Sequence, residues 1–195
     1  VGGDGTSSRA QTATRRAVGR RAPYTSSSDY LKETTVYRKI LLTHDGSDVA
    51  ALAVGHAATV AKGANAPVIV VQAIDSVGQM MSRMTPMIEP VPVGDITVEL
   101  AEEMVAAQRE AAEQNLAGVK SALAGEGITE VATKVVEGPA GDAILDAANA
   151  ENADLIVMAT HGRSGLGRAI LGSVADHVVR NAKRQAVLLV RPPAD

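Results

Sequence analysis

The stretch from Leu155 to Val174, LIVMATHGRSGLGRAILGSV, decides how the rest of the chain is read. Its opening Leu155-Ile156-Val157-Met158 is an unbroken apolar run, too short for a helix and suited to a strand buried on both faces of a parallel sheet. After Thr160 and His161 come Gly162, Gly165 and Gly167, where the backbone can turn or approach a ligand without a Cβ in the way. Gly172-Ser173 then precedes a second amphipathic pattern of Val174, Val178 and Val179, which predicts a helix with Ser173 near its cap. Free N–H groups from the loop and from the helix start would face one point, and oriented amides of this kind hold phosphate without a cluster of lysines.

Three better-known motifs nearly fit and fail on residues. A Walker A loop over Gly162-x4-Gly167 needs Lys and Ser/Thr next, where Arg168 and Ala169 stand. A dinucleotide fingerprint from Gly165-x-Gly167 needs glycine at the position of Ile170, and a nucleophile elbow at Ser164 needs glycine at the position of Leu166.

Upstream, strand and helix patterns alternate. Arg38 to Thr43 predicts a strand, followed at once by His44-Asp45-Gly46-Ser47, with His44 read as a turn residue. Ser47 and Asp48 can cap a helix through Ala51, Val54, Ala58 and Ala61 that Gly63 closes. Pro67 to Ile74 repeats the buried-strand pattern and ends on Asp75. From Ser76 to Asp95, Pro86, Pro90 and Pro92 argue against a continuous helix, while Met80, Met81, Met84 and Met87 offer adaptable apolar surface. That segment reads either as a lid or binding surface or as an insertion that packs opportunistically. Ile96 to Leu123 predicts a long amphipathic helix, Val131 to Val136 an edge strand, and Gly138-Pro139 the opening of a short helix through Ile144, Leu145 and Ala148. Strand 154–159, a helix from Ser173 to Asn181 and strand Ala186 to Val190 complete the chain. Five strand and four helix patterns in alternation predict an α/β fold, a doubly wound parallel sheet with helices on both faces.

Composition narrows the function. With 46% hydrophobic residues in 195, the chain can bury one sizeable core. Only three tyrosines supply aromatic character, so stacking platforms for single-stranded nucleic acid are missing. The absence of cysteine excludes disulfides and thiolate metal sites, and is compatible with a cytoplasmic location. No apolar run approaches the roughly 18 residues of a membrane span. Residues 1–30 hold five arginines against two aspartates, a net +3, which leaves −6 on the remainder of a chain of net −3. A domain that acidic is a poor generic binder of nucleic acid. The Gly-, Ser-, Thr- and Arg-rich residues 1–35 read as a disordered basic tail, with a cloning remnant, a misassigned start or an organelle transit segment as alternatives. Residues 36–195 form the expected single domain.

The glycine stretch resembles the nucleotide loop of the universal stress protein family. ATP-binding members carry Gly-x2-Gly-x9-Gly followed by Ser or Thr, and this chain reads Ala159-x2-Gly162-x9-Gly172-Ser173, with alanine in place of the first glycine. The resemblance extends over 38–45, 68–75 and 186–192. It implies strand order 3-2-1-4-5 and the adenine nucleotide alpha hydrolase-like fold, so that Asp45 and His161-Gly162 both face the crevice where the winding reverses. It further implies ATP or AMP as ligand, with Mg or Mn as a possible companion, and a homodimer through strand 186–191. Thr43, Asp45 and Ala73 match positions that contact adenine and ribose. Ala159, His161, Gly162, Arg163, Gly172 and Ser173 match the phosphate loop, with Met158 and Val174 as walls of the phosphate channel. Alternatives stand beside these. Asp45 can form a local Asx turn, His161 can bond backbone, Arg163 and Arg168 can solvate the loop, and Met158 and Val174 can belong to the core. His56 and His177 lie in predicted helices without metal-ligand spacing. Two functions are expected. One is a nucleotide-binding stress sensor or regulatory module with at most slow ATP hydrolysis. The other is a non-nucleotide relative that works through protein or lipophilic contacts of the Met-rich segment, with the protein partner unspecified.

Overall fold

The computed structural model describes residues 37–84, 95–160 and 172–193, and Gly2. The expected tail over 1–35, the proline-rich 85–94 and most of the glycine loop, 161–171, lie outside the described residues. Five strands and five helices are described: β1 (Ile40–Thr43), α1 (Asp48–Ala64), β2 (Val68–Ile74), α2 (Val77–Met84), α3 (Asp95–Gly125), β3 (Val131–Glu137), α4 (Ala140–Ala150), β4 (Leu155–Ala159), α5 (Ser173–Asn181) and β5 (Ala186–Val190). All strand pairings are parallel, in the order β3-β2-β1-β4-β5. This is the doubly wound fold expected from the sequence.

The two faces of the sheet are buried by alternate residues of each strand, as the period of two requires. Ile40, Leu42, Val68, Val70, Leu155 and Val157 point into one core with α1 and α3. Leu41, Ile69, Val71, Ile156 and Met158 point into the other with α4 and α5. Helix α1 presents alanine at its buried positions 50, 53, 57, 58 and 61. Small residues there let the helix axis lie close to the sheet, so a core without phenylalanine or tryptophan still closes.

Three local expectations change. The first helix runs through Gly63 and ends at Asn65, which takes the left-handed conformation (φ 50°) and donates its N–H to the carbonyls of Ala61 and Lys62. Asparagine tolerates that conformation almost as well as glycine. The Met-rich segment begins with α2, which precedes the prolines; Ser76 accepts from and donates to Gln79 at its start. At α5 the N-cap is Gly172 and not Ser173, with no side-chain cap.

Helix α3 has 31 residues, about 46 Å at roughly 1.5 Å per residue, about twice the length of the seven-residue β3. Its lower half covers the sheet. Gln108 accepts from the N–H of Asp75 just past the end of β2, so the residues before it rise beyond the strand ends. Ala101 and Val105 from that part, with Ala112 one turn after Gln108, cluster with Ile74 and Met80.

Candidate functional site

Strands β1 and β4 are neighbours, but the helices that follow them leave to opposite faces of the sheet. Their carboxyl ends therefore bound a crevice, the position at which open α/β sheets bind ligands. A pocket of about 250 Å³ occupies it, near the lower limit of about 300 Å³ for small-molecule sites. Thr43, Asp45 and Ala73 line it from the ends of β1 and β2. Met158, Ala159, Gly172, Ser173 and Val174 line it from β4 and the start of α5. The structure thus brings together these eight of the eleven expected site residues; His161, Gly162 and Arg163 lie outside the described residues. The sequence reading missed Ser47, Val49 and Ala50 from α1 and its cap, Ala140 and Ile144 from α4, Thr160, and Ala175 of α5.

Asp45 has the Asx-turn geometry that stood as its alternative role. Its Oδ1 accepts from the Ser47 N–H at 3.0 Å and the Ser47 hydroxyl at 2.6 Å. The Ser47 hydroxyl oxygen in turn accepts from the Ala50 N–H at 3.1 Å, capping α1. Both bonds to Asp45 use one oxygen; Oδ2 has no protein donor among the described residues. Burial pushes the Asp45 carboxyl up, but the Ser47 hydroxyl and amide bonds, its own N–H and the neighbouring His44 outweigh this and hold it below its ordinary value. The turn and a ligand contact are therefore compatible, since a carboxylate carries about four acceptor positions.

Across the pocket two helices begin without a side-chain cap. Pro139 at the start of α4 has no N–H and makes no cap bond, and Gly172 at the start of α5 has no side chain. The first amides of a helix have no partner inside it. The Gly172 N–H is an exception to the expectation of free loop amides, because it donates to Thr160 Oγ1 at 3.2 Å. That leaves the N–H groups of Ser173, Val174 and Ala175 without protein acceptors among the described residues. Each helix start carries roughly half a positive charge but also an aspartate in its first turn, Asp142 and Asp176, so what the wall opposite Asp45 offers an anion is the free amides themselves.

Thr160 is 3% exposed and its N–H donates to the Val190 carbonyl at 2.9 Å. Its hydroxyl joins the two ends of the glycine loop, twelve residues apart. A threonine as the last residue before a glycine loop was the available signal. Ala159 stands half-buried, with its side chain against the core on the α1 face, so it adds one carbon to the pocket wall. Met158 is 3% exposed and packed on the α4 side, a core residue that also lines the site.

His44 is not an ordinary turn residue. It is 7% exposed, and its Nδ1 lies 3.0 Å from the Gly46 N and 3.1 Å from Asn115 Nδ2. Burial lowers its pKa, only partly opposed by the charge of Asp45. His177, on α5, packs on Gly141 of α4 and meets Asp142 at 2.7 Å through Nε2. Among the described residues no three His, Cys, Asp or Glu side chains gather where they could hold a metal ion. Asp45 is the single carboxylate of the described lining, so a divalent ion there would rest mainly on ligand phosphates. No helix among the described residues is long and apolar enough to cross a membrane.

A five-stranded parallel sheet in this order, with a crevice at its winding reversal, defines a doubly wound α/β domain. The sequence profile of the universal stress protein family matches residues 36–191, and the chain belongs to that family. It is 35% identical over 158 residues to universal stress protein MJ0531 of Methanocaldococcus jannaschii, spanning 81% of this chain and 84% of that one. Identity is again 35%, over 156 residues, to a universal stress protein of Thermus aquaticus, covering 80% of this chain and 100% of the relative. Among solved structures, the hypothetical protein MJ0577 superposes with TM-score 0.64 at 26% identity, over 82% of this chain and 99% of its own. A universal stress protein in complex with cAMP gives TM-score 0.56 at 25% identity, over 80% of this chain and 97% of its own.

Proposed function

We propose that the protein is a nucleotide-binding stress-response module that takes ATP or AMP in the β1–β4 crevice and acts as a sensor or regulator. The observation that carries this reading is the pairing, across one pocket, of an Asp45 oxygen with no donor among the described residues and the uncapped starts of α4 and α5. A carboxylate can accept from ribose hydroxyls or the adenine amine, and helix N-termini attract phosphate. The cAMP complex of a family member supports an adenine nucleotide as the ligand class. The reading includes Thr43, Ala73, Met158, Ala159 and Val174 as walls and assigns His161, Gly162 and Arg163 of the loop to phosphate. With no histidine, cysteine or lysine in the described lining, the site is suited to hold a nucleotide and not to turn it over quickly. Mg or Mn would enter with the phosphates.

Calorimetry with ATP, ADP and AMP tests this. Asp45→Ala removes a charged acceptor worth about 1.5–3 kcal/mol, and so about tenfold or more in affinity. Gly172→Val should weaken binding similarly without unfolding the domain, since among the described residues a Cβ there meets only Thr160 Oγ1, at 3.9 Å, and φ is −59°. No binding of any of the three at millimolar ligand would transfer the function to a second reading, contact with an apolar partner or lipophilic ligand. That reading is favoured by the exposure of Val98, Leu100 and Met104 at 38%, 44% and 41% on the projecting half of α3. In either case the assembly proposed is a homodimer through β5, which is paired on one side only, to β4, among the described strands.

A further inference from the structure

We propose that His44 is a positioning residue of the pocket: its Nδ1, held between the Gly46 N–H and the Asn115 amide, sets the turn that presents Asp45. This rests on the nucleotide reading of the same pocket. The Gly46 N–H can only donate, so the Nδ1 that lies 3.0 Å away is an acceptor and the ring proton is on Nε2. The same Nδ1 accepts from Asn115 Nδ2 at 3.1 Å, and that amide group donates also to Gln72 Oε1 at 2.6 Å. His44 itself is pinned by its N–H to the Val71 carbonyl at 3.0 Å. One buried ring thus ties β1, β2 and α3 to the residue that follows Asp45.

The turn needs such a tie. Gly46 has φ +86°, the left-handed region, and its N–H faces inward to the ring while the Asp45 side chain faces the pocket. Asp45 lies between two residues fixed by a single nitrogen, so its Cα–Cβ direction follows from their geometry. Its own bonds to Ser47 fix the carboxylate rotation but not where the turn sits. The nearest atoms to a Cβ on Gly46 would be Asn115 Nδ2 and Cγ, at 3.9 and 4.0 Å, which puts Asn115 directly beneath the turn.

The test uses the full chain, with AMP and ATP affinity by calorimetry and Gly46 amide exchange by NMR. His44→Leu should accelerate Gly46 exchange and weaken binding about tenfold. His44→Asn, whose side-chain oxygen can take the place of Nδ1, should restore binding to within about threefold of the unaltered protein. Because the role acts through Asp45, His44→Leu should cost little further affinity in an Asp45→Ala background. Should His44→Leu fail to fold, the Asn115→Ala and Asp45→Ala cycle gives the same reading with a milder change. Additive losses, or His44→Asn as weak as His44→Leu, overturn the positioning role and leave the nucleotide site standing. Failure of the unaltered protein to bind any adenine nucleotide overturns both.

Discussion

Gly141→Ala tests the packing that holds the two helix starts beside the pocket. A Cβ at 141 would lie 2.5 Å from His177 Cδ2, 2.8 Å from Cγ and 3.1 Å from Cβ. Rotation about the Cβ–Cγ bond moves Cδ2 but leaves Cγ and Cβ in place, so it cannot clear the clash. Either α4 and α5 part or His177 leaves its rotamer. Overpacking of this kind costs about 1–3 kcal/mol. Displacing the ring also loses the 2.7 Å contact of Nε2 with Asp142, whose partners are 40% and 60% exposed, worth about 0.5 kcal/mol at most after solvent screening. Against this, alanine for glycine in a helix interior gains up to about 1 kcal/mol, and less in the first turn. The expected net effect is a loss of about 1–2 kcal/mol. His177→Ala removes Cγ and Cδ2 and leaves only a Cβ at 3.1 Å, so Gly141→Ala in that background should be close to neutral, the helix gain of up to about 1 kcal/mol offsetting that contact. Urea unfolding monitored by circular dichroism measures all four proteins, with an unchanged slope required for the comparison. A Gly141→Ala effect of the same sign and size in both backgrounds would refute the steric account.

Two further outcomes follow from the fold. The Asp154 carboxylate accepts from the N–H of Arg38 at 2.7 Å and of Lys39 at 3.3 Å, tying the start of β1 to the start of β4. Burial opposes its ionisation, but these bonds and the Arg38 guanidinium lower its pKa. A carboxyl whose pKa is lower folded than unfolded stabilises at neutral pH and loses that contribution as pH falls through the folded value. Asp154→Asn should therefore lower the melting temperature at pH 7, with the difference from the unaltered protein narrowing below about pH 4; a difference independent of pH would exclude the charge as its cause. For the dimer, Ala186 N–H bonds to Asp154 and the Val190 carbonyl to Thr160, so even-numbered residues of β5 face β4 and Leu189 turns its N–H outward. Leu189→Pro should give a folded monomer by light scattering where the unaltered chain is a dimer, and a monomer in both cases would end the β5 proposal.

The alternation of strand and helix patterns was legible because the three central strands β1, β2 and β4 are buried on both faces and so appear as apolar runs, as in Leu155–Met158. Residue Asn65 shows where such reading stops. Gly63 is the better stop signal by composition, but Asn65 carries the αL conformation, and the choice between two turn formers two residues apart is made by packing of α1 on the sheet. Helix α2 was hidden by the prolines that follow it, although its Ser76–Gln79 bonds were present in the sequence as a serine three residues before a glutamine. The site was readable as a set of strand ends and loop residues. Its hydrogen-bond roles were not. The Gly172 N–H, expected to be free, belongs to Thr160, and a bond between residues twelve apart has no local sequence pattern. His44 was likewise read from its place in the polar turn before Gly46, while its partner Asn115 comes from an element 71 residues further on and is itself held by Gln72.

The position of the pocket follows from register more than from any one side chain. Leu42 is level with Val157 across β1 and β4, so β1 gives out at Thr43 where β4 reaches Met158, and Asp45 leaves the sheet at the height of Ala159–Thr160. From there α1 turns to the face that holds Ala53, Ala57 and Leu116, and α5 to the face that holds Ile144 and Val178. Backbone pairing thus brings the carboxylate and the uncapped amides to the two lips of one crevice. A slip of one residue between β1 and β4 would send Leu41 and Ile40 to the wrong cores, a mismatch over every buried position of the strand. The same apolar alternation that secures the fold therefore secures the spacing of the site. Substitutions at Asp45 or Gly172 should then change affinity while the crevice keeps its shape, which separates ligand chemistry from folding in this protein.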